Sequence, residues 1–374
     1  MNKKRKKVVV AMSGGVDSSV AAAMLLREGF EVLGCFMRLG TPPGVEKPVE
    51  TACQTTPTRT RGCCSVLDAD DARRVAGILD IPLYVLNFQE DFSRVIDYFV
   101  AEYNQGRTPN PCVRCNDWLK FGRLAQYADA VGADFIASGH YARVGNDPLS
   151  GQKSLMRAID EKKDQSYVLF GMKRPVLERT LFPLGGMRKE QVRELAREFN
   201  LPVSEKPDSQ DICFVPDGDY AGLLERHSPD NVRPGEFVLS DGQKVGEHRG
   251  HQHFTIGQRK GLGVALGRPM YVVGINVQSN SVVLGEQYQT LRRGLLARSL
   301  NILSDRLKVA EPKRCYARIR HNHTPGLGTA TLTSADELRF EFDEPESAIT
   351  PGQAVTLYDE QIVLGGGWIE RSTD

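Results

Sequence analysis

The stretch KVVVAMSGGVDSSVAAAMLLREGF, from Lys7 to Phe30, constrains the fold more tightly than any other part of the chain. Lys7 to Met12 is a short β-branched apolar run, the mark of a strand buried on both faces. Ser18 to Glu28 then carries Val20, Ala21, Met24 and Leu25 at helical spacing, and Gly29 ends the pattern. Between them, Gly14 and Gly15 bare the backbone, while Ser13, Ser18 and Ser19 place hydroxyls beside helix N–H groups that have no partner within the helix. Such a turn is an anion site, with phosphate as its natural guest. Asp17 would repel that guest unless a cation stood between them, which predicts a nucleotide whose Mg²⁺ is held at Asp17. The turn has neither the Gly-Lys-Ser/Thr of a P-loop nor the spaced glycines of a dinucleotide site.

The pattern repeats downstream. Strands are predicted at Val32 to Met37, Leu83 to Asn87 and Phe135 to Ser138, and helices at Leu67 to Leu79, Asp91 to Tyr103 and Leu119 to Val131. This alternation predicts an α/β domain with a doubly wound parallel sheet, its ligand beyond the C-terminal strand ends. Gly40 to Cys63, rich in Thr and Pro, reads as a long excursion beside the site. After about residue 215 the texture becomes glycine-dense. From Leu295 onward short strands dominate, at Cys315 to Arg320, Gly328 to Thr333, Leu338 to Phe342, Ala354 to Tyr358 and Ile362 to Gly366. The expected domains are 1–215 for nucleotide binding, a small central domain at 216–290, and a β-barrel at 291–374.

Lys and Arg total 48 against 47 Asp and Glu, so no global field draws in nucleic acid, and any RNA contact rests on local patches such as Arg318, Arg320, His321 and His323. No apolar run approaches the ~18 residues of a membrane span, and no signal-peptide core follows the basic N-terminus. A cytoplasmic, reducing setting is therefore expected, in which the eight cysteines serve packing, metal binding or catalysis. Cys112 and Cys115, in GRTPNPCVRCNDWLKFG, are expected in an extended or turning segment before a helix that starts near Asn116, since Pro109 and Pro111 disfavour helix in the residues before them. A zinc site lacks a second matching pair, and the adjacent Cys63 and Cys64 are poorly spaced for one. Cys213 lies in a loop-like run with Asp208 and Asp211.

The turn Ser13-Gly14-Gly15-Val16-Asp17-Ser18 resembles the signature of the PP-loop ATP pyrophosphatases, which cleave ATP between its α and β phosphates. With Phe36-Met37, Gly106 to Pro111, Cys115-Asn116, Ser138 to Tyr141, Lys163 to Tyr167, Cys213-Phe214, Gly257 to Gly263, Thr350 to Gln353 and Gly365 to Gly367, the whole chain resembles the tRNA-specific 2-thiouridylases. The resemblance implies an ATP- and Mg²⁺-dependent sulfurtransferase acting on the wobble uridine of the tRNA anticodon stem-loop, and a protein that supplies persulfide sulfur. It implies that Ala11, Met12, Ser13, Gly14, Gly15, Val16, Asp17, Ser18, Met37 and Gly139 bind ATP. It assigns Asn110, Pro111 and Cys112 to the target base, and His140, Lys163, Asp164, Gln165, Arg320, His321 and Gln353 to tRNA. Cys213 would carry the persulfide and Cys115 would release its sulfur, leaving a disulfide between them. Some relatives have Asp in place of Cys112. Alternatively, Cys112, Cys115 and Cys213 would hold an iron–sulfur cluster, which would replace the disulfide step. The rival functions are an amide-forming PP-loop synthetase and a non-catalytic RNA-binding module.

Overall fold

The computed structural model describes residues 5–40, 66–208, 212–215 and 218–374, and beyond Gly40 the expected excursion to Cys63 lies outside them. The chain divides into two compact units. The first comprises Met1–Val95, Cys112–Asp219 and Gln361–Val363, and the second Ile96–Pro111, Tyr220–Glu360 and Leu364–Asp374.

The first unit opens with β1 (Lys7–Ala11), α1 (Val16–Arg27), β2 (Glu31–Arg38), α2 (Val66–Ile78), β3 (Leu83–Asn87) and α3 (Gln89–Asn104), the last running on into the second unit. A composite helix follows, α4 (Pro111–Arg114), a π-helical segment Cys115–Arg123 and α5 (Leu124–Ala130). Then come β4 (Phe135–Ser138), the hairpin β5 (Arg143–Asn146) and β6 (Lys153–Met156), α6 (Arg174–Leu177), β7 (Thr180–Leu181) and α7 (Lys189–Glu198). The sheet is parallel, in the order β3-β2-β1-β4-β7.

Alternation along β1 explains the two covering layers. Val8 and Val10 pack with Val20 and Ala21 of α1, Val75 of α2 and Val192 of α7, while Val9 and Ala11 pack with Leu124 and Ala128 of α5. Val8, Val9 and Val10 are fully buried, and each contributes roughly 1.5–3 kcal/mol of apolar transfer. Gly29, at φ +87°, stops α1 in the left-handed conformation that glycine adopts without strain.

One local expectation fails. Helix begins at Pro111, so Cys112 and Cys115 lie within it and not ahead of it. Proline restricts the residue before it, here Asn110, yet is well tolerated in the first helical turn, where its missing N–H costs no bond. Cys115 opens the π-helical segment, a rare geometry that frequently accompanies functional sites.

The second unit contains α8 (Tyr220–His227) and a four-stranded sheet in the order β10-β11-β8-β9, formed by β8 (Gly235–Leu239), β9 (Lys244–His248), β10 (Tyr271–Asn276) and β11 (Ser281–Gly285). Beyond it, β12 (Leu291–Ile302), β13 (Lys313–Arg318), β14 (Gly326–Ser334), β15 (Glu337–Ser347), β16 (Ala354–Asp359) and β17 (Ile362–Thr373) form a closed antiparallel barrel, closed by the pairing of β12 with β17. Leu338, Phe340 and Phe342 alternate into its core. The segment before Pro111 is knitted into this unit. Arg107 bonds to Glu102 at 2.8 Å and to Glu370 at 3.1 Å, and the Thr108 N–H donates to the Pro351 carbonyl at 2.8 Å.

Candidate active site

Ala11 and Met12 are buried at the end of β1, and the turn that follows is set by backbone contacts. Gly14 has φ +71°, and a Cβ there would lie 2.1 Å from the Asp68 carbonyl oxygen, so no other residue fits. The Ser13 N–H donates to Ser18 Oγ at 3.1 Å, and the Ser18 and Ser19 hydroxyls donate to the Gly15 carbonyl at 3.2 and 2.8 Å. These bonds hold the turn rigid. No side chain caps α1, whose first turn includes Val16, Asp17 and Ser18, so its N–H groups suit phosphate oxygens. Gly139, directly after β4, packs backbone to backbone on this helix start: a Cβ there would stand 2.6 Å from Asp17 C and Ser18 N. Met37 is half-buried near the C-terminal end of β2 and Gly139 directly follows β4, the two strands that flank β1. That is where a doubly wound sheet opens its ligand crevice.

The charges around Asp17 differ from expectation. Lys189 Nζ lies 2.8 and 2.9 Å from the two Asp17 oxygens, and the Tyr141 hydroxyl donates to Asp17 at 2.8 Å. Thus the positive charge beside Asp17 is an ammonium and not a ready-made metal cage. Among the described residues no group of three His, Cys, Asp or Glu side chains is placed to hold a metal ion. Cys112, Cys115 and Cys213 form no such group, so nothing described supports the cluster alternative.

Lys189 also binds Asp208 at 2.8 Å, and Asp208 receives Lys163 at 2.8 Å and Arg193 at 3.1 Å. Burial alone would raise the Asp208 carboxyl, but the Lys163 and Lys189 ammoniums outweigh it and hold it below the usual carboxylate range. Burial, and next the Asp17 charge, push the Tyr141 hydroxyl far up, so it stays a donor. Lys206 braces the turn from the other side, donating to the Gly14 carbonyl at 2.9 Å and to Asp68 and Asp71 at 2.7 Å. Lys189 and Lys206 escape sequence reasoning because each acts more than 170 positions from its partner in the turn. The one available signal is that Lys189 opens an amphipathic helix, where an acidic first turn is the rule.

The five described thiols fall into two classes. Cys35 and Cys315 are buried, and desolvation pushes both up to about 12. Cys112 is exposed, and Cys115 and Cys213 are half-buried. The first turns of α3 brace the segments carrying Cys115 and Cys213 together. Asp91 binds Arg123 at 3.0 Å, and the Arg94 guanidinium stacks on Trp118, both partners lying in the π-helical segment that Cys115 opens. Phe92, between them, meets Phe214 edge to face with centroids 5.7 Å apart, and Phe214 follows Cys213. Five residues before Cys213, Asp208 leads back through Lys189 to Asp17.

The residues assigned to RNA are engaged internally. Asp164 is buried and accepts from the Ala158 and Ser166 N–H groups at 3.0 and 3.2 Å. Gln165 exchanges two bonds with the Tyr141 backbone, at 2.9 and 2.8 Å. His140 is buried between Phe121 and Phe182 with Nδ1 2.7 Å from Ser138 Oγ, and burial, then Lys120, lower its proton affinity well below the ordinary histidine value. Asn110 and Pro111 are buried, with the Asn110 N–H 3.5 Å from the Tyr98 hydroxyl. Gln353 donates to the Thr108 and Pro109 carbonyls at 3.1 and 3.0 Å. In the basic stretch, Arg320 donates to the Ser347 carbonyl at 2.9 Å, Arg318 to that of His321, and His321 is exposed. His323 is buried, with its Nε2 3.0 Å from a Glu346 carboxylate oxygen.

Comparison with known proteins is extensive. Three family models match in tandem, described as tRNA methyl transferase HUP domain over 6–217, tRNA methyl transferase PRC-barrel domain over 222–286, and aminomethyltransferase beta-barrel domain over 292–369. The chain is 48% identical over 368 residues to the tRNA-specific 2-thiouridylase MnmA of Carboxydothermus hydrogenoformans, covering 98% of each chain. It is 44% identical to the protein of that name from Clostridioides difficile, covering 98% of this chain and 99% of that one. Among solved structures, a 4-thiouridine synthetase in complex with RNA and ATP matches 60% of this chain and 51% of its own, at 18% identity and a TM-score of 0.36.

Proposed function

The chain belongs to the tRNA-specific 2-thiouridylase family, and from that premise we propose that it uses ATP to exchange the 2-oxygen of the wobble uridine in tRNA for sulfur. The glycine turn and the start of α1 hold the phosphates, with Met37 and Gly139 beside the adenosine. Uridine O2 attacks the α-phosphorus and pyrophosphate leaves, giving an adenylated base. The terminal sulfur of a Cys213 persulfide adds at C2 and AMP departs. The Cys115 thiolate then attacks Cys213 Sγ, breaking the S–S bond, freeing 2-thiouridine and forming a Cys115–Cys213 disulfide, which a thiol reductant restores by two electrons. Asn110, Pro111 and Cys112 stand next to Cys115 in the chain and receive the base, which leaves the anticodon stack to reach them. Any Mg²⁺ would be held chiefly by the ATP phosphates, whose charge it would offset beside Asp17, because that carboxylate is paired with Lys189. A persulfide-carrying protein loads Cys213, and a reducing cytoplasm keeps the relay primed. Among the described residues no helix is long and apolar enough to cross a membrane.

The supporting observation is the shared bracing by α3. Three contacts from about one turn of α3, at Asp91, Phe92 and Arg94, secure the segments of both relay cysteines, and Asp208 ties one of those segments to the nucleotide turn. A relay depends on such proximity, because an unattached thiol meets the adenylate at low effective concentration. The test is mass spectrometry of nucleosides from tRNA incubated with protein, ATP, Mg²⁺ and a persulfide donor. Cys115→Ser and Cys213→Ser are expected to yield no 2-thiouridine while pyrophosphate release persists. Full thiolation by both variants would refute the relay, and tRNA binding without pyrophosphate release would favour a non-catalytic module.

A further inference from the structure

The central sheet of the second unit carries a cavity that no step above uses. It encloses about 320 Å³ and is lined by Phe237, Glu247, His248, Arg249, Phe254 and Leu262. Phe237 comes from β8, Glu247 and His248 end β9, and Leu262 belongs to the Gly257 to Gly263 run picked out in the sequence. The rings of Phe237, Phe254 and His248 meet edge to face, with centroids 5.0 to 5.3 Å apart. A Cβ on Gly235 would touch His248 Cε1 at 2.6 Å, so the glycine leaves the imidazole its place.

His248 is 7% exposed, and neither ring nitrogen has a partner at full hydrogen-bond distance and angle, the Glu236 backbone giving the ring only weak support. Leaving such a group unmatched costs on the order of 1–3 kcal/mol, so a native structure that keeps it calls for an explanation. Metal binding is not that explanation, because no three-ligand group exists among the described residues, although His248, His251 and His253 are close in sequence. A neutral imidazole offers one donor and one acceptor. Its complement is a flat group with an apolar face and a polar edge bearing both. The rim adds charge. Arg249 lines the cavity, and Arg259 and Lys260 directly precede the lining residues Gly261 and Leu262 in the chain, all three cations being exposed, while the Glu247 carboxylate is already paired with Lys244 at 2.9 Å. Anion attraction beside an aromatic, hydrogen-bonding cavity is the chemistry of a nucleotide.

We propose that this cavity binds one nucleotide, its base against Phe237 and Phe254 with a polar edge on His248, and its phosphate toward Arg249 and the Arg259-Lys260 pair. The nucleotide is either a free mononucleotide or one residue of an RNA strand. The site is additional to the ATP turn and stands without it.

The experiment follows the histidine ring resonances of the full chain by NMR, with the ATP turn saturated by a non-hydrolysable ATP analogue. His248 is identified by the signal lost in His248→Phe. AMP, UMP and an anticodon stem-loop RNA are titrated separately. A saturable shift with a mononucleotide assigns the cavity to small nucleotides, and a shift with RNA alone assigns it to the strand. His248→Phe is expected to weaken that binding about tenfold, the worth of one hydrogen bond, and His248→Gln, which keeps a donor and an acceptor, to weaken it less. Unmoved His248 signals with all three probes, while the analogue still binds, would overturn the proposal. Equal losses in the two variants would overturn it as well. Neither result bears on thiolation, which the nucleoside assay reads separately.

Discussion

Replacing Lys189 with Met keeps the length of the side chain and removes its charge. Its side chain is 8% exposed, and its ammonium lies 2.8 Å from both Asp17 and Asp208. Asp208 retains Lys163 and Arg193, so the loss falls mainly on Asp17, which keeps the Tyr141 hydroxyl. A unit pair at ~4 Å is worth about 4 kcal/mol at an effective dielectric of 20. Because the Asp17 side chain is 32% exposed, solvent screening reduces this to roughly 2 kcal/mol. The same uncompensated carboxylate then faces the incoming phosphates, so ATP affinity should fall about 30-fold, the equivalent of a further 2 kcal/mol. Calorimetric titration with ATP and denaturant melts measure the two effects. The decisive arm is the double variant Asp17→Asn with Lys189→Met. If the pair is electrostatic, removing both charges restores at least half of the stability lost in Lys189→Met, a coupling of about 1 kcal/mol or more. Strict additivity in the double variant, or unchanged ATP affinity in Lys189→Met, would refute the reasoning.

Gly139→Ala places a methyl 2.6 Å from the backbone of Asp17 and Ser18, and neither can yield without moving the helix start. It should cost about 2 kcal/mol and abolish measurable ATP binding, read by the same titration. His140 stays neutral in the folded protein while the unfolded chain takes up a proton near pH 6.5. Stability should therefore fall as pH drops below that value, by up to about 1.4 kcal/mol per pH unit from this group, and His140→Asn should lose that share of the slope in melts near pH 7 and pH 5. Among the described thiols, iodoacetamide at mild alkaline pH should label Cys112 first and leave Cys35 and Cys315 unmodified until the chain unfolds, as peptide mass mapping would show.

The sheet was legible in the sequence because its information is local. Val8 to Val10 are a both-faces-buried strand whatever surrounds them, and Gly14 and Gly29 mark turns that their own backbone angles require. The same locality made the glycine turn before α1 visible. What stayed hidden is long-range. Nothing near Asp17 announces that its cation arrives from Lys189, and a carboxylate beside a phosphate site reads equally well as a metal ligand or as half of an ion pair. The misplaced helix start at Pro111 has a different origin. Pro109 and Pro111 restrict the residues before them, but the competing preference of proline for the first helical turn prevails at Pro111.

The internal bonds of the RNA-assigned residues separate two roles that the family pattern leaves merged. Gln353 uses its amide nitrogen on the Thr108 and Pro109 carbonyls and retains Oε1, while Arg320 uses one guanidinium nitrogen on Ser347. Lys163 spends one donor on Asp208. These three are half-buried, already oriented, and keep polar atoms to offer, so an RNA contact through them costs little additional ordering. Asp164 and His140 differ, since both are buried and their described bonds all serve the protein's own backbone and neighbouring side chains. Conservative changes should divide accordingly. Gln353→Ala and Arg320→Ala are expected to weaken tRNA binding several-fold with little change in melting, and Asp164→Asn and His140→Asn to lower melting with tRNA affinity retained in the folded fraction. Filter binding beside thermal melts tests this division. A loss of affinity without a loss of stability in Asp164→Asn would show that its carboxylate reaches the RNA, and that its bonds to Ala158 and Ser166 break when the complex forms.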